Sequence, residues 1–194
     1  MQGLTLILLA AGASARFGKQ DKLLAEFQGR PLGAHAADLM RSEARVHRVA
    51  ILPPEQPERR AVFEQSDWEI YENHDARLGH ASSLCLGIRA AQKQQARAII
   101  VCLADMPFIK DHHLHGLIDR LCDHDGVMSQ AGDTLTPPAI FSAATFDTLL
   151  SLRGDRGARS IFLQMENTTT YPINAQAAHD IDTPETLMAL NQAF

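Results

Sequence analysis

The run Leu4-Thr5-Leu6-Ile7-Leu8-Leu9 passes straight into Ala10-Ala11-Gly12-Ala13-Ser14, and short apolar runs of the same kind recur along the chain between helical patterns. That alternation constrains the fold most. A near-continuous apolar strand is buried on both faces, and strands separated by helices build a mostly parallel sheet, which makes this an α/β protein. Residues 31–42 carry a helical stripe of Leu32, His35, Ala36, Leu39 and Met40. Strands are expected at 48–52, 68–71 and 98–103, and a weaker one at 126–129. Helices are expected at 82–95 and 111–121. Another opens at Ser142, and a last one follows Asp182-Thr183-Pro184-Glu185, which has a capping residue, a first-turn proline and an acid. Trp68, Phe141, Phe146 and Phe162 read as core.

With 194 residues, 45% hydrophobic and 21% charged, the chain reads as one domain, residues 1–194, able to bury its own core. A net charge of -5 argues against general nucleic-acid binding. The early apolar run is too short to cross a membrane and lacks the basic flank of a signal peptide. Cys85, Cys102 and Cys122 have no metal or redox spacing and read as free thiols of a cytoplasmic protein. Asp111-His112-His113-Leu114-His115 reads as a solvated helix start rather than a zinc site, because adjacent helical histidines diverge by about 100°.

In such sheets ligands bind beyond the carboxyl ends of the strands, so the residues just after strands carry the chemistry. From Leu9 at the end of the first strand, the small residues Ala10, Ala11, Gly12, Ala13 and Ser14 let backbone N–H groups approach a polyphosphate, and Leu9 to Ser14 are taken as nucleotide-binding. Arg16 and Lys22 add two positive charges, one a fork for phosphate oxygens and one a point charge. The loop is neither a Walker loop nor a Rossmann fingerprint. After the strand at 98–103, Asp105 in Leu-Ala-Asp-Met-Pro can hold Mg²⁺ or cap a following helix. Asp180-Ile181-Asp182-Thr183-Pro184 offers a second acid: only one of Asp180 and Asp182 can share a given face, and helix capping by Asp182 or Thr183 is the competing reading.

The loop resembles L-A-A-G-x-S-x-R-x-G-x-x-K, the signature of the MobA-like nucleotidyltransferases. With Ala11 before Gly12, Arg16-Phe17-Gly18, and Asp21-Lys22-Leu23-Leu24, it is most similar to the molybdenum cofactor cytidylyltransferases. The corresponding guanylyltransferases tend to carry A-G-G. The resemblance extends to L-A-D-M-P, to D-I-D-T-P, and to G-x-x-S-S-L at Gly79, Ser82 and Ser83. It also covers Gly154-Asp155-Arg156-Gly157-Ala158-Arg159. It implies a Rossmann-like three-layer α/β/α sandwich of the nucleotide-diphospho-sugar transferase type. Its implied activity is Mg²⁺-dependent transfer of CMP from CTP to molybdenum cofactor, with Arg16, Lys22 and Asp105 catalytic and with Asp105 and Asp182 holding the metal, Asp180 being the alternative to Asp182.

By the same resemblance Gly79 and Ser82 lie against base and ribose, although Ser82 or Ser83 reads equally as a helix cap. Pro138, Arg156 and Arg159 are implied at the acceptor, although the loop around Arg156 reads equally as an exposed cap. Thr136 replaces the family's usual glycine before Pro138, which puts the acceptor in question more than the chemistry. GTP as donor, or a sugar or polyol phosphate as acceptor, is the alternative within the class. Outside it stands a non-catalytic carrier that hands nucleotide or cofactor to a client molybdenum hydroxylase. Such a carrier would be expected to lose Lys22 or Asp105, and both are present.

Overall fold

A computed structural model of the chain describes residues 3–18 and 20–193, leaving Lys19 of the glycine loop outside the described residues. The first half runs β1 (Leu4–Leu9), β2 (Glu26–Phe27), β3 (Arg30–Pro31), α1 (Leu32–Ala37), β4 (Val46–Leu52), α2 (Pro57–Glu64), β5 (Glu69–Glu72) and α3 (His80–Lys93). The second half runs β6 (Ala98–Leu103), α4 (Asp111–Arg120), β7 (Gly126–Ala131), β8 (Thr134–Ser142), α5 (Phe146–Leu150), α6 (Ala158–Phe162), β9 (Thr168–Pro172) and α7 (Pro184–Ala193).

Seven strands form one sheet in the order β5-β4-β1-β6-β8-β7-β9, and β2 with β3 make a small hairpin. The first four neighbours are parallel, β8 runs antiparallel to both β6 and β7, and β9 is parallel to β7. After β1 the chain builds outward through β4 to β5, then crosses back to lay β6 on the other side of β1. The order therefore reverses between β1 and β6, and the crevice at their carboxyl ends is where ligands collect in open α/β sheets.

The period of two in β1 sends Leu4, Leu6 and Leu8 into one core and Ile7 into another. The first core packs under α1, α2 and α4 through Ala36, Phe63 and Leu114. The second packs under α3, α5 and α6 through Leu84, Phe146 and Ile161. The result is a three-layer sandwich. Gly87 lets α3 sit close on the sheet, since a Cβ there would meet Ile7 Cγ2 at 2.5 Å. A third cluster, Phe17, Phe27, Leu32, Ile181 and Leu187, pins the glycine loop and α7 to the β2–β3 hairpin and the start of α1. Among the described residues no helix is long and apolar enough to cross a membrane.

Several expectations need correction. The helix at 31–42 stops at Ala37: Met40 takes φ 53, and its N–H donates to Asp111 Oδ1 at 2.8 Å. Leu32, Ala36, Leu39 and Met40 are nevertheless buried, so the stripe marked the core rather than helix length. Strand β8 hides behind two prolines. Its register with β7 jumps from Met128↔Ala139 to Ser129↔Thr136, so Pro137 and Pro138 sit in the bulge where no ladder N–H is required. His113 is not solvated: it is 7% exposed, with Nε2 2.8 Å from Ser129 Oγ beside that bulge and its ring 5.2 Å from Tyr171. Cys85 and Cys102 are buried free thiols, whereas Cys122 is exposed. Ser142 opens a short 3-10 turn ahead of α5, and its hydroxyl goes to Asp125 rather than to the helix backbone.

Candidate active site

Ala10 continues β1 by one residue, its N–H donating to Ile51 O at 2.9 Å. Ala104 continues β6, its N–H donating to Leu9 O at 3.1 Å. Both strands therefore end level, and the glycine loop and the Asp105 turn leave side by side. Leu9 and Ala11 are half-buried, Ala10 is buried, Gly12 and Ala13 are exposed, and Ser14 turns left-handed at φ 52. The N–H groups of residues 11–14 donate to none of the described residues. Free backbone donors in a tight turn form an anion-binding concavity.

From this loop Lys22 reaches across the crevice. Its Nζ donates to Asp105 Oδ2 at 2.6 Å and to Asp182 Oδ1 at 3.0 Å. Arg16 Nη1 takes the other Asp182 oxygen, Oδ2, at 2.6 Å. Four of the residues singled out from the sequence thus meet in one cluster. No helix follows Asp105 directly, and its carbonyl accepts from Ile181 N at 3.0 Å, which ties the two acidic segments together. Asp180 and Asp182 flank the fully buried Ile181 in an irregular segment. Thr183 caps α7, its Oγ1 accepting from Thr186 N at 3.2 Å, which leaves the Asp182 carboxylate to the crevice.

Burial would lower the Lys22 pKa, but Asp105 and then Asp182 outweigh it and hold the ammonium above its ordinary range. Burial pushes the Asp105 carboxyl up, against the pull of Lys22, and the nearby Asp180 charge adds to the rise. Asp182 is more open: burial pushes it up, but Lys22 and Arg16 more than offset this and keep it below the carboxylate range. Asp105 Oδ1 is buried without a hydrogen-bond partner among the described residues. Among the described residues no three His, Cys, Asp or Glu side chains gather as a closed metal site would require. Two carboxylates and an unpartnered buried oxygen instead suit a cation whose other ligands are phosphate and water, as for Mg²⁺.

The second group of expected residues lies on the same edge of the sheet. Asn73 N–H donates to Leu52 O at the end of β4, and its side chain donates to Ser82 Oγ at 2.9 Å and Ser83 Oγ at 2.8 Å. Ser82 Oγ also donates to Gly79 O, so neither serine caps α3 in the usual sense. Gly79, at φ 101, is overlaid by the loop at 153–157: Ala81 N–H donates to Gly154 O at 3.0 Å. Arg156 and Arg159 are exposed on that loop and the first turn of α6, while Pro138 is buried, its carbonyl accepting from Ser129 Oγ at 2.6 Å.

Sequence reasoning passed over Arg59. It is 4% exposed, and it grips the inner side of the glycine loop together with Asp21. Its sequence context, Pro-Glu-Arg-Arg at the start of a helix, carries no mark that separates it from the half-buried Arg60.

Known proteins resemble the chain in sequence and in fold. Purine catabolism protein PucB of Bacillus subtilis is 30% identical over 190 residues, covering 92% of this chain and 91% of that one. Rv0371c from Mycobacterium tuberculosis superposes with a TM-score of 0.83 at 21% identity over 98% of both chains, and it has also been solved in complex with manganese. Molybdopterin-guanine dinucleotide biosynthesis protein A from Archaeoglobus fulgidus superposes with a TM-score of 0.72 at 17% identity over 97% of both. At those identities the two structures show the shared nucleotide-diphospho-sugar transferase fold alone. The family model of the MobA-like NTP transferase domain matches residues 6–169, and the chain belongs to that family of nucleotidyltransferases.

Proposed function

We propose that the protein, as a single cytoplasmic domain, transfers CMP from CTP to the terminal phosphate of molybdenum cofactor with Mg²⁺ and releases pyrophosphate. The observation that carries this is Lys22 bridging Asp105 and Asp182 at the β1/β6 switch point, beside loop N–H groups at 11–14 that have no acceptor among the described residues. Asp105 and Asp182 would hold the metal, and the buried, unpartnered Oδ1 of Asp105 fits a cation. When bound, Mg²⁺ draws charge from the α-phosphate and so makes its phosphorus more electrophilic.

The chain's own residues do the rest. The 11–14 amides cradle the β- and γ-phosphates. Arg16 and Lys22 exchange their carboxylate partners for phosphate oxygens and hold the α-phosphate in line with the acceptor. An acceptor phosphate oxygen forms the new bond to Pα, the Pα–O bond to the β-phosphate breaks, and pyrophosphate leaves with that electron pair. The attacking phosphate is already ionised at neutral pH, so no general base is needed. Arg156 and Arg159, exposed on the loop that overlies Gly79, and the neighbourhood of Pro138 are assigned to the acceptor. Gly79 and Ser82 are assigned to the base and ribose.

Ala11 before Gly12 supports CTP. The solved relative named for molybdopterin-guanine dinucleotide biosynthesis supports a molybdopterin acceptor and makes GTP the base to test against. The test is pyrophosphate release with Mg²⁺ and isolated molybdenum cofactor, comparing CTP, GTP, ATP and UTP. Release with CTP alone is expected. Release with GTP overturns the base assignment and keeps the chemistry. No release with any nucleotide overturns the acceptor and favours a carrier that serves a client molybdenum hydroxylase.

A further inference from the structure

A buried guanidinium needs a full set of acceptors, and Arg59 on α2 has one. Its Nε and Nη2 fork onto Asp21 Oδ2 and Oδ1, both at 2.7 Å. Its Nη1 donates to the backbone carbonyls of Ala10 at 2.7 Å and Gly12 at 3.1 Å, and Nη2 also reaches Ser14 Oγ at 3.4 Å. All five N–H donors are thereby spent on the glycine loop and the residue that follows it. Ser14 Oγ in turn accepts from Lys22 N at 3.2 Å, and Asp21 Oδ1 accepts from Leu23 N at 2.9 Å. The same clamp therefore fixes the backbone from which Lys22 projects.

The consequence lies on the other side of the loop. With the Ala10 and Gly12 carbonyls turned to a buried cation, the N–H groups of residues 11–14 are left without acceptors among the described residues. Removing the guanidinium would leave those carbonyls unpaired, and they would compete with the N–H groups for water and for one another.

We propose that Arg59, oriented by Asp21, is the positioning residue that holds residues 10–14 in the polyphosphate-binding form and sets the start of Lys22. It touches the back of the loop and acts through its amides. The proposal rests on the nucleotidyl-transfer reading. It predicts that Lys cannot substitute, because an ammonium has three donors and no planar fork to span a carboxylate and two carbonyls.

The test uses the full chain and its Arg59→Lys, Arg59→Met and Asp21→Asn variants. Binding of inorganic tripolyphosphate is measured by calorimetry, KM and kcat with CTP by turnover, and folding by thermal unfolding. Loss of bonds to a charged group predicts binding weakened about tenfold or more in every folded variant. The nucleotide KM should rise by a similar factor, kcat should fall by less, and hydrogen exchange at the 11–14 amides should quicken. If Arg59→Met does not fold, the lysine and asparagine variants decide. Variants that melt earlier but bind tripolyphosphate like the wild type overturn the proposal and leave the nucleotidyl-transfer reading standing. A wild-type chain that binds no tripolyphosphate overturns that reading itself.

Discussion

Lys22 Nζ stands 2.6 Å from Asp105 Oδ2, while the other Asp105 oxygen is buried and has no hydrogen-bond partner among the described residues. One oxygen of a single carboxyl is thus neutralised and the other held open, at the point where β1 and β6 end level. Asp105→Asn keeps the shape and removes the charge needed to hold a divalent cation. Turnover should fall by roughly 10³, the scale of losing metal-based charge stabilisation. Pyrophosphate release checks the loss, and an unchanged melting curve checks the fold. Full activity in this variant removes Asp105 from the metal site.

Lys22→Met should affect stability as well as rate. It leaves a buried carboxyl without its cation, which costs about 3 kcal/mol or more when one partner of a buried pair is removed. The sign of the pH dependence follows from burial, which already raises the Asp105 pKa above 3.8. A raised carboxyl binds more protons folded than unfolded, so its penalty is absent below the ordinary value and grows as pH rises through the folded one. Urea unfolding between pH 8 and pH 5 should show the variant recovering stability relative to the wild type on acidification. A constant difference would mean the carboxyl finds another partner.

The parallel half of the fold and the charged half of the site are both readable from the chain. Leu4–Leu9 and Ala98–Leu103 are buried on both faces and almost wholly apolar, so their runs stand out, and the glycine loop and Asp105 follow them directly. The antiparallel half does not read this way. In β8 two prolines interrupt a strand that a bulge accommodates, and β9 opens on Thr168-Thr169-Thr170, strand-favouring residues that supply no apolar run to mark it. His113 and Arg59 fail for a related reason. Each is a polar residue at a helix start whose burial depends on a distant partner, the β7 bulge for one and the glycine loop for the other. Helical periodicity has no access to such pairings.

Gly79 joins the two halves of the site's rim. At φ 101, a Cβ there would lie 2.4 Å from the Gly154 backbone. Gly79→Ala should cost about 2 kcal/mol or more, from the positive φ and the displaced loop together. The loop at 153–157 would lift from α3 and free the backbone at the already exposed Arg153 and Arg156 for trypsin. Limited proteolysis should cut there faster than in the wild type, with only a modest drop in melting temperature. Unchanged cleavage would mean the loop is anchored elsewhere.

His113 makes the stability of the fold sensitive to mild acid. Ser129 Oγ donates to Pro138 O, so it accepts from His113 Nε2, which carries the proton of a neutral ring. Burial first, and the neighbouring His112 second, lower the His113 pKa from 6.5 to about 4. The folded state therefore binds fewer protons than the unfolded one between these values. Stability from this residue is complete above 6.5 and is lost as pH falls toward 4, by up to about 3 kcal/mol. Urea unfolding at pH 7 and pH 5 should show this loss in the wild type and a flatter dependence in His113→Phe, whatever the substitution itself costs. Equal slopes in the two proteins would mean that the ring is hydrated and free to charge in the folded state.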